Sequence, residues 1–387
     1  MRHDTEPTTT RSPRWKNRGA LVLIALAALL IVPRSLCAGS GSALYAGQLD
    51  AQMPLARAVA ARAGSALRFS TGSPRFDGEW SFVTQQMTVI GLGQMVLAHA
   101  ELKDALLPAM DAALEGMLTP DALAFGTTDW KMRDLSFNGI APPAWLGYLG
   151  MALGMHRMVA PTSRFAPLHD RLVSALARRL ENEPLEALAT YPNETYPPDI
   201  ATALGAVGLW QRATGRTDHA RALARACNAF RTHAVDASTG LVLQAIDTRT
   251  GTPLDKPRAS GTAFSAYFLA FADPALSRDL YTALHTRSFF TLNGFGLVNE
   301  YPQGVIAGSG DIDSGPVIFG VGASATAFTI AVSRMQGDRD AYLALMRTAT
   351  LLGSPVEGKG ERRYVLGGAL ADAVMLAMTT APPMHAP

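Results

Sequence analysis

Six apolar segments rich in Gly and Ala alternate with six charged, amphipathic ones along this chain of 387 residues. The alternation predicts an all-α fold, an (α/α)6 toroid of six helical hairpins closed into a ring. Three observations carry that expectation. The beat is regular, with one apolar segment about every 50 to 60 residues. The amphipathic segments need one covered face, whereas the apolar ones need burial on several sides. Strand signals are sparse: Gly240 to Asp247 ahead of Thr250-Gly251, and Phe295 to Tyr301, both expected as short hairpins in loops.

The chain opens on Arg11, Arg14, Lys16 and Arg18, followed by the apolar run Gly19 to Val32 and then Pro33-Arg34-Ser35-Leu36-Cys37-Ala38. A bilayer span takes about 20 apolar residues, and this shorter run has the length of a secretory h-region. Its basic lead holds the N-terminus in the cytoplasm and sends the rest across the membrane. Residues 1–38 are therefore expected to be a signal peptide or signal anchor, 39–48 a linker, 49–380 a single domain and 381–387 a tail. The expected location is the periplasm or the outer face of the inner membrane, with the membrane as a partner if the segment is retained.

Inside the domain, the inner helices are expected at Phe82 to His99, Pro142 to Met158, Ile200 to Thr214, Gly261 to Phe271, Pro316 to Met335 and Val365 to Met378. The outer ones are expected at Leu49 to Leu67, Leu102 to Met117, Phe165 to Glu181, Asp218 to His233, Pro274 to Arg287 and Asp338 to Leu352. In the third of these, Leu168, Leu172, Leu176 and Leu180 form one stripe, with Arg171, Arg178 and Arg179 elsewhere.

Composition excludes some functions. A chain that is 48% hydrophobic and 17% charged is not disordered. A net charge of +2, with no basic stripe beyond the leader, argues against nucleic acid as a partner. Cys227 sits in a helical stretch and is expected to be a small buried hydrophobe. His99, His156, His169, His219, His233 and His285 lack metal-ligand spacing, so neither a metal nor another cofactor is expected. A homo-oligomer is compatible with all of this.

In a ring of this kind, the loops leading into the inner helices gather at one end, over a central funnel. The helix N-termini point there too, each with a partial positive charge. The third lead-in is Tyr191-Pro192-Asn193-Glu194-Thr195-Tyr196-Pro197-Pro198-Asp199. Its prolines predict a rigid non-helical turn, with Asp199 at the N-cap of the helix that follows. The first lead-in brings Glu79 and Trp80, the second Asp129 and Trp130, and the fourth Arg258 beside Asp255 and Lys256. The fifth brings Glu300, Tyr301, Asp311 and Asp313 ahead of Pro316.

Acidic residues beside aromatic ones suit a site that stacks a ring and moves protons. Asp311, Asp313 and Glu194 are the acid/base candidates, with Asp199 beside them and with Tyr191 and Tyr196 positioning substrate or passing protons. Trp80 and Trp130 are candidates for stacking, and Glu79, Asp129, Asn193, Arg258, Glu300 and Tyr301 for substrate binding. The structural alternative is that Asp313 or Ser314 caps the fifth inner helix and Asp199 the third.

From about Trp145 to Leu352 the chain resembles the linalool dehydratase/isomerase family of periplasmic (α/α)6-barrel proteins. The likeness runs through Gly147 to Val159 with Arg164-Phe165, then the proline-containing acidic loop ahead of Leu209-Trp210. It continues in Thr214 to Asp218, Asp236 to Gly240, Asp273 to Ser277, and Gly322 to Thr329 running on to Met335 to Asp338. The resemblance implies the ring fold, export, a site at the mouth, and dehydration or isomerisation of a small terpenoid alcohol. The family also uses a cysteine pair in the loop before the third inner helix and a histidine in the second inner helix. Here Tyr191 to Asp199 holds no cysteine, and Tyr148 stands where the histidine would be. Those roles are not carried over, and Tyr148 joins the substrate-binding candidates.

The acidic, tyrosine-rich loops are more similar to those of (α/α)6 glycosidases, epimerases and polysaccharide lyases, in which carboxylates and tyrosines act on sugar rings. The expected function is metal-free acid–base chemistry on a polar, saccharide-like substrate, by an exported or membrane-anchored hydrolase or lyase. The alternatives are a terpenoid hydro-lyase/isomerase and a non-catalytic envelope binding protein.

Overall fold

A computed structural model of the chain describes residues 22, 31–127, 137, 143–183, 185, 188–305, 308, 310 and 314–384. Its helices are α1 (Gly41–Tyr45), α2 (Leu49–Ala60), α3 (Pro74–Ala98), α4 (Lys103–Met117), α5 (Pro120–Thr127), α6 (Pro143–Val159) and α7 (Ala166–Asn182). They continue with α8 (Pro197–Thr214), α9 (Ala220–His233), α10 (Ala259–Leu269), α11 (Pro274–Arg287), α12 (Ala323–Met335), α13 (Arg339–Gly353) and α14 (Gly368–Thr380).

The alternation of segments becomes two layers. Helices α3, α6, α8, α10, α12 and α14 each pack on the next, and α14 packs back on α3, which closes the ring. Around them, α4, α7, α9, α11 and α13 lie against α3, α6, α8, α10 and α12, and α2 lies against α14. On α7 the stripe does what its spacing predicts: Leu172, Leu176 and Leu180 are buried, while Arg171 and Arg178 face solvent. On α8 every residue from Pro197 to Trp210 is buried, as an inner helix requires.

Small residues set how closely the inner helices approach. A Cβ on Gly208 of α8 would lie 2.3 Å from the carbonyl oxygen of Phe271, at the end of α10. Backbone cannot rotate away as a side chain can. Gly208→Ala is therefore expected to cost about 1–3 kcal/mol in urea unfolding, and a variant as stable as the parent would contradict this packing.

Several boundaries differ from expectation. Helix α3 starts at Pro74, so Glu79 and Trp80 lie inside it rather than in a lead-in loop. Helix α8 starts at Pro197 with Tyr196 as N-cap, so Pro197-Pro198 begin the helix and Asp199 belongs to its first turn. The physical reason is that first-turn N–H groups have no intrahelical partner, and proline there gives up nothing.

Helix α12 starts at Ala323, not Pro316, because a hairpin intervenes between β3 (Val317–Ile318) and β4 (Val321–Gly322). Its turn residues Phe319 and Gly320 have φ of +51° and +86°. Gly322 is the N-cap, so Ser314 does not cap this helix. Helix α2 stops at Ala60, short of Leu67, and α14 begins at Gly368 after a hairpin of β5 (Pro355–Gly358) with β6 (Glu361–Tyr364).

The expected hairpin near Phe295 is present as β1 (Phe289–Leu292) paired with β2 (Phe295–Val298) across Asn293-Gly294. The φ values of +49° and +80° suit a tight hairpin turn. Gly240 to Asp247 makes isolated bridges, Val242 with Val235, Leu243 with Pro257, and Ile246 with both Pro253 and Thr195. Proline lacks the N–H that would extend such a ladder.

Among the described residues, no helix is long and apolar enough to cross a membrane. The run Gly19 to Val32 lies mostly outside them. Cys227 is buried as expected, and burial pushes its thiol up to about 12.

Candidate functional site

The N-terminal ends of three inner helices and the segment before α8 bring four polar side chains together at the mouth of the ring. Glu79 comes from the second turn of α3, Tyr148 from α6, Asp199 from the first turn of α8, and Tyr191 from the segment before α8. All four are buried. The Tyr148 hydroxyl lies 2.6 Å from Asp199 Oδ1 and 3.3 Å from Glu79 Oε1, so one phenol bridges two carboxyl groups. The Tyr191 hydroxyl donates to Glu79 Oε2 at 2.8 Å.

A phenol has one proton to give, and the shorter contact assigns it to Asp199. Burial and the neighbouring carboxylates push the Tyr148 hydroxyl well above its usual range, so it remains a donor. Burial raises Asp199 to about 6, against hydrogen bonds from Tyr148 and Thr190 that pull it down.

Local geometry explains the Tyr191 loop. Glu194 N–H donates to the Tyr191 carbonyl at 3.0 Å, closing a turn over Pro192-Asn193 in which Asn193 has φ of +63°. Proline then a left-handed Asn is the signature of a type II turn. Asn193 is exposed and holds the turn, which accounts for its residue type without a ligand. The turn carries Glu194 to the rim, where its carboxylate meets Arg75 Nη1 at 3.4 Å and the Tyr196 hydroxyl at 3.3 Å. The Glu194 side chain is 43% exposed, unlike Glu79 and Asp199. The Arg75 guanidinium also sits 4.9 Å from the centre of the Tyr191 ring.

Aromatic rings from three further helices surround the cluster. Phe125 of α5 stacks on Tyr148 with centroids 6.5 Å apart, and Phe264 of α10 meets Tyr148 edge-on at 6.4 Å. Phe264 in turn contacts Phe328 of α12 at 5.0 Å.

A second group lies one turn further up α10. Ser260 Oγ donates to the buried Glu300 carboxylate at 2.5 Å. The Glu300 backbone is tied at both ends, its N–H to Gly320 O and its carbonyl to Ala259 N–H, each at 2.8 Å. A Cβ at position 322 would meet Glu300 Oε2, which is why the N-cap of α12 is glycine. Arg258 pairs with Asp255, and together with Lys256 it flanks the Tyr301 ring at 5.7 and 5.9 Å.

The candidates therefore divide. Glu79, Tyr148, Tyr191 and Asp199 converge; Glu194, Tyr196 and Asn193 rim them; Arg258, Glu300 and Tyr301 form the second group. Trp80 is turned from Glu79 by one helical step and packs edge-on against Phe69 at 5.8 Å. Asp129, Trp130, Asp311 and Asp313 lie outside the described residues. Arg75, Thr190, Phe125, Phe264 and Phe328 were not among the candidates. Arg75, four residues before Glu79 on the same helix, was open to detection in the sequence, whereas the phenylalanines read as core. Among the described residues, no group of three or more His, Cys, Asp or Glu could hold a metal ion.

These elements define the class: an (α/α)6 barrel with an acidic, tyrosine-bridged cluster at its mouth. No family model matches the chain, and no curated protein matches it. Solved structures do. An unsaturated glucuronyl hydrolase specific for heparin is similar with a TM-score of 0.55 at 11% identity, over 86% of this chain and 95% of that one. An inactive variant of an α-1,6-mannanase of Salegentibacter sp. HEL1_6, bound to α-1,6-mannotetrose, is similar with a TM-score of 0.52 at 12% identity, over 84% and 97%. The unsaturated glucuronyl hydrolase of Bacillus sp. GL1 gives 0.52 at 13% identity, over 85% and 94%. At such identities the likeness bears out the (α/α)6 fold, and the fold alone.

Proposed function

We propose that this protein is a saccharide-acting enzyme of the glycosidase type, working by acid–base chemistry between Asp199 and Glu79. The carrying observation is the Tyr148 hydroxyl shared by two buried carboxyl groups. Asp199, raised to about 6, is the group that holds a proton in mildly acidic solution. It gives that proton to the glycosidic oxygen as the C–O bond breaks. Glu79, accepting from Tyr191, is its partner at the anomeric carbon.

Sharing one hydroxyl keeps the two bridged oxygens, Asp199 Oδ1 and Glu79 Oε1, within about 6 Å of each other, between the ~5–5.5 Å of a retaining pair and the ~6.5–9.5 Å of an inverting one, and the Tyr148 phenol fills the gap in which an inverting pair would hold its water. Glu79 then serves as nucleophile, and water releases the sugar with its anomeric configuration retained. Glu300 and the Tyr301 face bind a neighbouring part of the substrate. The basic-then-apolar N-terminal sequence supports action outside the cytoplasm.

A second reading is a hydro-lyase/isomerase on a small terpenoid alcohol, as the resemblance implies. The ring of Phe125, Phe264 and Phe328 around Tyr148 favours it. Asp199 would protonate the departing hydroxyl, and Glu79 would accept a carbon-bound proton.

One panel separates the two. The purified chain is given α-1,6-linked manno-oligosaccharides, unsaturated glucuronyl oligosaccharides and linalool, and products are followed by NMR. Saccharide cleavage with retained configuration is the expected outcome. Turnover of linalool alone would establish the second reading, and inversion would remove Glu79 as nucleophile.

Tyr148→Phe is expected to lower kcat about 10-fold to 100-fold. Because the lost hydrogen bond held Asp199 down, the alkaline limb of the pH profile should move to higher pH. An unmoved limb would mean that Tyr148 does not act on Asp199.

A further inference from the structure

A cleft of about 340 Å³ lies where the N-terminal segment meets α13 and the β1–β2 turn, lined by Ile31, Arg34, Ser35, Ala38, Asn293 and Arg347. That volume is at the lower end for small-molecule sites. No carboxylate lines it. Arg347 Nη1 donates to the Gly294 carbonyl at 2.9 Å, and its Nε is buried without a hydrogen-bond partner. Arg34 lies over the same glycine, where a Cβ would sit 2.9 Å from its Nε. Neither guanidinium belongs to an ion pair among the described residues. Burial, and after it the Arg34 charge, disfavours the Arg347 cation. Two like charges held together in a partly desolvated cleft are costly unless an anion joins them.

We propose that this cleft binds the phosphate group of an anionic phospholipid. Guanidinium forks match phosphate oxygens in pairs, as a lysine pair would not. The surroundings identify lipid rather than free anion. Ile31 lines the cleft, and Leu36 and Leu292 directly adjoin its lining residues Ser35 and Asn293 in the chain; the three are 60%, 75% and 65% exposed, apolar surface that a soluble phosphate would not use. The apolar run of the sequence ends at Val32, two residues before Arg34, so a retained leader sets the cleft at headgroup level. The segment is also docked on the barrel. Cys37 is buried, and a Cβ on Gly41 of α1 would touch Leu343 and Met346 of α13 at 3.4 and 3.6 Å.

The test is calorimetric titration of the full chain in neutral detergent with dihexanoylphosphatidylglycerol, dihexanoylphosphatidylcholine and inorganic phosphate. The glycerol lipid should bind at least about tenfold more tightly than either comparator, and Arg34→Gln and Arg347→Gln should each weaken it about tenfold. Arg34 is exposed, so its variant should keep the parent's thermal midpoint; that variant keeps the test valid should Arg347→Gln disturb the hairpin. Absence of binding, or binding indifferent to Arg34→Gln, would overturn the site. Displacement by equal phosphate would make it a free-anion site and overturn the lipid assignment. So would a mature exported chain beginning after residue 38, measured by mass spectrometry, because it would lack Arg34.

Discussion

Asp199→Asn is expected to lower kcat about 10²-fold to 10⁴-fold on the saccharide that the wild type cleaves, with little change in KM. Asparagine keeps an oxygen for the Tyr148 hydroxyl to reach, so the bridge of 2.6 Å can persist while the transferable proton is lost. The same substitution should make the protein more stable near neutral pH. The folded carboxyl is raised to about 6, above its ordinary value of 3.8, because burial penalises the charged form. Its protonated form is therefore favoured by folding. That contribution is complete below pH 3.8 and is lost as pH rises through 6. Above pH 6 the buried charge is a burden of about 3 kcal/mol, which the asparagine removes. Activity and stability should thus move in opposite directions, as at a site strained for function. If kcat fell because the fold had loosened, urea unfolding at pH 8 would show lower stability instead. The wild-type profile offers a second check. As general acid, Asp199 gives an alkaline limb near pH 6, and loss of activity below that pH with a plateau above it would assign the residue the opposite role.

The ring was legible because an inner helix must be apolar on several sides and an outer one on a single face, and segment lengths reported both. Its ends were less legible. Pro197-Pro198 read as an interruption, yet they open α8, since proline is unwelcome in a helix only beyond the first turn. The strands β5 and β6 escaped because Glu361, Arg362 and Arg363 have no apolar alternation to betray a hairpin, although Lys359-Gly360 turns it with φ of +53° and +76°.

The site was half legible. A lead-in loop announces which carboxylates are near the mouth, but not which point inward. Glu194, next to Tyr196, drew attention by its setting and lies at the rim with Arg75. Glu79 drew less and sits in the centre, because α3 begins at Pro74 and its second turn faces Tyr148. Burial separates these two glutamates, and burial is a property of neighbours distant in sequence.

His169 supplies the other large effect, and it concerns the scaffold. It lies on the inward face of α7, one turn before Leu172, fully buried, with neither ring nitrogen hydrogen-bonded. Burial first, then the nearby Arg157 charge, lowers it from 6.5 to about 3. The imidazole is thus neutral in the folded chain at every pH above about 3, while the unfolded chain takes up its proton below 6.5. The unfolded state binds more protons across that window, so stability falls as pH falls, by about 1.4 kcal/mol per pH unit. By pH 4 the loss should reach about 3 kcal/mol, a large share of the stability of an ordinary domain. His169→Leu is expected to cancel this loss and to add about 1–3 kcal/mol at pH 7 by removing two unsatisfied polar atoms. Urea unfolding of both proteins at pH 7, 5.5 and 4 measures it. Asp170, held low by Arg157 and Trp210, also weakens the fold in acid, but it is common to both proteins and drops out of the difference. Curves for parent and variant that stay parallel between pH 7 and 4 would show that the ring of His169 finds a partner or water in solution.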